Sequence, residues 1–165
     1  MALAASDDST VYVAWRHLFG RNIRDIAVAR STYGGATFAG PTRVHADRWH
    51  INGCPHSGPA LAVNDTGTLH LAWYTGAEGR TGVYYAQSTD GGQSFEAPTA
   101  LEPDVGVSQV GLAQGRTGRV WVAWVNADRK TTVASARGGQ GLDPESGLRI
   151  EDAFPGWPSH RNIRH

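Results

Sequence analysis

A chain of 165 residues, with 15 Lys+Arg against 15 Asp+Glu and a pI near 7.1, has the length of one ordinary domain. The balanced charge gives no footprint for a nucleic acid or an anionic membrane surface, and the single cysteine excludes an internal disulfide. No apolar run approaches the ~20 residues a membrane helix needs, and the opening MALAASDDST has neither the basic nor the apolar region of an export signal.

Taken in chain order, the first segment with strand character is VYVAW at 11–15, so a first unit is expected to begin there, at its second strand. RHLFGRNIRD at 16–25 reads as a loop, STYGGATF at 31–38 as a glycine turn and HADRWHINGCPHSG at 45–58 as a long connection. GPALAV at 58–63 reads as a strand, joined by the turn NDTG to TLHLAWY at 68–74. GVYYAQ at 82–87, the turn STDGGQSF at 88–95 and a returning strand PTAL at 98–101 complete that unit. Pro98 suits the start of an outermost strand, which can lose one ladder donor. RVWVAWV at 119–125 and SARGGQGL at 135–142 repeat the pattern, and the tail echoes RNIR of 21–24 at 161–164. No stretch has helical periodicity with caps.

The repeat is the informative feature. VYVAW, LHLAW and VWVAW are each followed, 11 to 16 residues after the tryptophan, by a serine, a glycine pair and an apolar residue in register. The serines are spaced by 57 and 47 residues, a period typical of propeller blades. Each unit reads as four antiparallel strands. The expectation is an all-β fold: a partial β-propeller of about three blades in one domain, with blade 1 near 9–45, blade 2 near 58–101, blade 3 near 107–151 and a tail at 152–165. Such an arc leaves sheet faces uncovered, so self-association to cover them is expected.

In STDGGQSF, Ser88 and Asp90 can accept hydrogen bonds inside the turn, Gly92 supplies positive φ, and Phe95 can pack back as an anchor. This segment resembles the Asp-box, S-x-D-x-G-x-x-F/W, of the bacterial neuraminidase (BNR) repeats of the sialidase superfamily. The other two turns depart from it: Tyr33 and Arg137 stand at the aspartate position and Leu142 replaces the aromatic. The resemblance implies that Ser88, Asp90, Gly92 and Phe95 are structural, in a turn between the third and fourth strands.

Antiparallel blades sort their connections by end. NDTG, QGRTG and the glycine turns share one end. The segments 16–25, 45–58, 74–82 and 102–108 share the other, with most of the Arg, His and Trp residues. A site is therefore expected at the long-loop end. Sialidases use an arginine triad for the substrate carboxylate, a tyrosine nucleophile with a glutamate, and an aspartic acid. On that resemblance Arg24, Asp25 and Asp47 are candidate catalytic residues, and Arg24, Arg48, Trp49, His50, His56 and Tyr74 candidate ligand-binding ones, Trp49 as a sugar platform. Arg24 and Asp25 as a plain surface pair is the competing reading. Tyr74 and Glu78 are near in sequence; the family's Arg-Ile-Pro motif is absent.

His50, Cys54 and His56 could in principle ligate a metal, but their spacing matches no zinc signature, so no metal and no cofactor is expected. Cys54 reads instead as a small buried residue, and His17 and His70 as strand-edge residues. The implied function is a sialidase-like, glycan-recognising propeller, part of an exo-sialidase-type glycoside hydrolase. A non-catalytic propeller binding a glycan, peptide or partner protein is the alternative. A carbohydrate is the expected ligand.

Overall fold

The computed structural model describes residues 1–7, 9–53, 55–104, 106, 109–125, 131–137 and 148–149. They form three four-stranded antiparallel sheets, each running in sequence order from its first strand to its fourth. The first holds β1 (Ala2–Ala5), β2 (Val11–Phe19), β3 (Ile23–Ser31) and β4 (Thr42–Arg43); the second holds β5 (Ala60–Val63), β6 (Leu69–Thr75), β7 (Gly82–Ser88) and β8 (Thr99–Pro103). The third holds β9 (Val110–Gln114), β10 (Arg119–Val125), β11 (Thr131–Arg137) and β12 (Leu148–Arg149). The three innermost strands lie side by side, β1 against β5 and β5 against β9, so the sheets fan out around an axis as a partial propeller.

The strand period of two divides each second strand between two neighbours. In β6, Leu69, Leu71 and Trp73 join Tyr12, Ala14, Ile26 and Val28 in a core between the first two sheets. The alternate residues Ala72 and Tyr74, with Val83 and Tyr85 of β7, join Val120, Val122 and Trp124 between the second and third sheets. The repeated V/L-A-W is thus the unit of sheet-to-sheet packing. Its tryptophan faces the preceding sheet and its alanine the following one, where the backbones need a small side chain. Burying each Leu or Val of these faces contributes roughly 1.5–3 kcal/mol.

The structure differs from the sequence reading in three places. The first sheet is complete, because Ala2–Ala5 pairs with Val11–Ala14 of β2. Residues 16–25 are not a loop: β2 and β3 pair without interruption up to Phe19 opposite Ile23, and the turn between them is three residues long. Arg21 and Asn22 take left-handed φ of 60° and 57° there, which Asn tolerates better than Arg. One side of the extended hairpin is held by Trp15, His17 and Phe19, stacked edge to face at 5.8 and 4.7 Å, with Arg43 over the Phe19 ring. Finally, His70 is not at an edge. It is buried between the second and third sheets, with Nδ1 2.6 Å from Tyr85 Oη. Cys54, the third glycine pair and the tail at 152–165 lie outside the described residues.

Candidate functional site

The register places the two kinds of connection at opposite ends. Ser88, at the glycine-turn end of β7, pairs with Leu69, while Gly82 at its other end pairs with Thr75. The 44–58 connection meets the Thr75 end, since Trp49 packs edge to face on Tyr74 with ring centroids 5.5 Å apart.

This connection is held rigidly. It begins as a continuation of the β3 pairing: Val44 N–H donates to Ile26 O at 2.9 Å, Arg24 N–H to Trp49 O at 2.8 Å, and His50 bridges Ile23. Asp25 sits beneath it. Its carboxylate is wholly buried, pairs with the Arg43 guanidinium and accepts the backbone N–H groups of Arg48 (3.0 Å) and Trp49 (3.1 Å). A buried carboxylate needs such partners, and here three groups of the loop and its flanking strand supply them.

Asp47 is buried between the first and second sheets. It accepts the Trp73 indole N–H at 2.7 Å, lies 2.8 Å from His45 Nδ1 and pairs with Arg80 at 3.3 Å. Arg80 in turn lies over the Tyr84 ring, 4.5 Å from its centroid. The same device recurs one sheet on, where Trp124 donates its indole N–H to Glu102. An acid in or just beyond the fourth strand thus latches the tryptophan of the next V/L-A-W. Trp15, at the start of the arc, instead turns its indole to His17 Nδ1 of its own strand, at 3.1 Å.

Arg16, which the sequence reading passed over as one of several loop arginines, occupies the centre. Its guanidinium donates to Ser57 O (3.1 and 3.2 Å), Arg24 O (3.0 Å) and Tyr74 O (2.6 Å), and lies 4.6 Å from the Trp49 ring centroid. Burial lowers its pKa to about 10 although Asp47 and Asp25 oppose the shift, and it remains cationic at neutral pH. Trp49 is sealed between Arg16, Tyr74 and Gly76; a Cβ on Gly76 would come within 2.9 Å of the indole, so a glycine is needed there. Burial also raises the Tyr74 phenol, with Arg16 opposing the shift.

The sequence-predicted residues therefore divide in two. Asp25, Asp47, Trp49 and Tyr74 converge with Arg16, but they form the buried base of the long-loop end rather than its surface; a carboxylate with no exposure does not meet a ligand, and Trp49 has no free ring face to serve as a platform. Arg48, His50 and His56 are exposed and Arg24 is half-buried, with a buried Nε lacking a hydrogen-bond partner. The signal that could have found the latch is the recurrence of an acid 26 and 22 residues before the motif tryptophan, Asp47 before Trp73 and Glu102 before Trp124. Among the described residues no group of three His, Cys, Asp or Glu side chains could hold a metal.

At the other end, the turn after β7 is closed by its own side chains. Ser88 Oγ donates to Asp90 Oδ1 at 2.8 Å and accepts Gly92 N–H at 2.9 Å. Asp90 also accepts from Gln93 N–H, Ser94 N–H and Ser94 Oγ at 2.9, 3.0 and 2.5 Å, which holds its carboxyl well below the usual range. Gly92 is buried at φ 83°, and Phe95 packs back on the core between the first two sheets.

No family model matches this chain, and no curated protein sequence matches it. It is similar in structure to a Hadza microbial sialidase, Hz136, with a TM-score of 0.59 and 19% identity, over 86% of this chain and 35% of that one. It is similar also to a protein of unknown function from Dyadobacter fermentans, with a TM-score of 0.61 and 19% identity, over 95% of this chain and 51% of that one. The chain thus has a sialidase-like fold and spans about a third and about half of the lengths of these two proteins.

Proposed function

We propose that this chain is a sialidase-like propeller segment whose long-loop end recognises a carbohydrate. One observation carries the reading: the 44–58 connection sets Arg48, His50 and His56 in solvent beside half-buried Arg24, on a base pinned by Arg16, Asp25 and Asp47. Rigid support beneath exposed polar groups is what a recognition surface needs. The exposed Arg48, beside the half-buried Arg24, favours a ligand bearing a negative charge. On the same reading the Ser88–Phe95 turn is the Asp-box of a BNR-type repeat and has a structural role.

Binding is favoured over hydrolysis for this segment, because Asp25 and Asp47 are consumed by structural contacts and neither can deliver a proton to a glycosidic oxygen. The hydrolase reading draws on the likeness to a solved sialidase and needs further groups beyond the described residues. Titration of the purified chain with a sialoside, alongside release of a fluorophore from a sialoside substrate, tests both. Binding without turnover, weakened about tenfold or more by Arg24→Ala through loss of a charge-assisted contact, is expected. Turnover abolished by that substitution supports the hydrolase, and absence of binding removes the carbohydrate reading.

The uncovered faces of the arc belong to the proposal as well. Trp121 of β10 is 37% exposed, whereas its equivalents Tyr12 and His70 are buried by a following sheet. Among the described residues, no sheet packs on the β2 face of Val11, Val13 and Trp15 as the first sheet packs on Leu71 and Trp73. These two faces are the two halves of one repeated interface, so they fit each other on separate copies.

A further inference from the structure

A cavity of about 540 Å³ lies away from the long-loop end. It lies at the glycine-turn end, between the turn that follows β3 and the turn that follows β7, lined by Val28, Arg30, Tyr33, Phe38, Gly91 and Gln93 among others. Its volume is that of a pocket for a small organic ligand. The two turns are copies of one motif, and the cavity arises where the first copy departs from the second.

In the second copy Gln87 Nε2 donates to Glu96 Oε2 at 2.9 Å across the mouth of the turn, and Asp90 fills its centre. In the first copy Arg30 stands in place of Gln87, Ala39 in place of Glu96 and Tyr33 in place of Asp90. Arg30 has therefore lost its acidic partner; its Nε is buried with no hydrogen bond, and its guanidinium is held 5.8 Å over the Tyr12 ring. Gly91 makes room for it, since a Cβ there would stand 2.9 Å from Arg30 Nη1. Tyr33, freed from the turn, is 73% exposed, and Phe38 is 43% exposed where its counterpart Phe95 packs inward. Arg30 is the only charged residue in the lining.

A guanidinium that lines a concave site with no acidic partner, bordered by two exposed aromatic rings, selects a carboxylate carried on a ring with a flat C–H face. We infer that this cavity is a second ligand site, for an acidic sugar: the carboxylate on Arg30, the ring against Tyr33 or Phe38. It is independent of the long-loop end, which lies at the opposite end of the sheets.

Isothermal titration or NMR shift mapping of the full chain with methyl glucuronide, and with methyl glucoside as the neutral control, tests it. Glucuronide is expected to bind with shifts at Tyr33, Phe38 and the Arg30 side chain, about tenfold or more tighter than glucoside, as loss of a charge-assisted contact implies. Tyr33→Ala, at an exposed position, is expected to weaken binding severalfold. Ala39→Glu restores to Arg30 the partner that Gln87 has, and is expected to abolish binding in a folded protein. Arg116→Ala, exposed in the turn between β9 and β10 and outside the lining, is expected to leave it unchanged. Equal affinity for the two glycosides, no binding by the folded wild-type chain, or binding indifferent to Tyr33→Ala and Ala39→Glu would overturn the inference.

Discussion

His70 shows how much a single side chain's surroundings decide. Burial between two sheets lowers its pKa, because an imidazolium there would lose its hydration. A histidine whose pKa is lower folded than unfolded is bound by fewer protons in the native state, so its contribution is complete above the unfolded value and falls away as pH drops below it. Urea unfolding at pH 7.5 and 5.5 is expected to give lower stability at 5.5, with the slope reduced in His70→Gln. A slope unchanged by that substitution would place the titration elsewhere. At this scale the sequence was least informative. Asp25 and Asp47 looked like ligand-facing acids because each adjoins an arginine in sequence, yet each is turned inward by contacts made 18 to 26 residues away. Which way an acid points depends on what the next sheet offers it, and no local pattern records that.

The repeated elements were far more legible. V/L-A-W and the glycine turns carry a period of two and turn chemistry on adjacent residues, so the strands and their ends could be read directly. Two elements could not. Ala2–Ala5 has no β-branched or aromatic residue and becomes a strand only through its pairing with β2. The β2–β3 hairpin runs on past Trp15 because the aromatic stack on one side and the Asp25-pinned connection support it, not because of local propensity. The inter-sheet connection is itself testable as an element. Asp47→Ala leaves the Trp73 indole, His45 and Arg80 without their shared acceptor. Allowing for the partial exposure of His45 and Arg80, a loss of about 2–4 kcal/mol is expected from urea unfolding. Glu78→Ala, exposed on the neighbouring loop, is expected to stay within about 0.5 kcal/mol.

For the whole molecule, the arc geometry makes association a matter of surface chemistry. On the proposal that copies associate, the face around Val13 and Trp15 would meet the unlike face around Trp121, a heterologous contact that would end in a closed ring if the blade angle permits and in longer polymers if it does not. Sedimentation of the chain over a range of concentrations is expected to show a species heavier than the monomer. Trp121→Lys alone is expected to dissociate it, because every such contact uses that face once. A monomer at all concentrations would mean that the two faces do not meet in trans.

The guanidinium of Arg16 has one more implication. It is sited on the first sheet, but three of its four donated bonds end on carbonyls of the second sheet and the segment leading into it. A polypeptide ending near residue 58 would lose the Tyr74 carbonyl, the shortest of these contacts at 2.6 Å, and the second-sheet half of the shared core, whereas one ending near residue 103 would keep both. The first two blades should therefore unfold in a single transition and resist protease together, with amide exchange along β2 and β6 proceeding at a common rate.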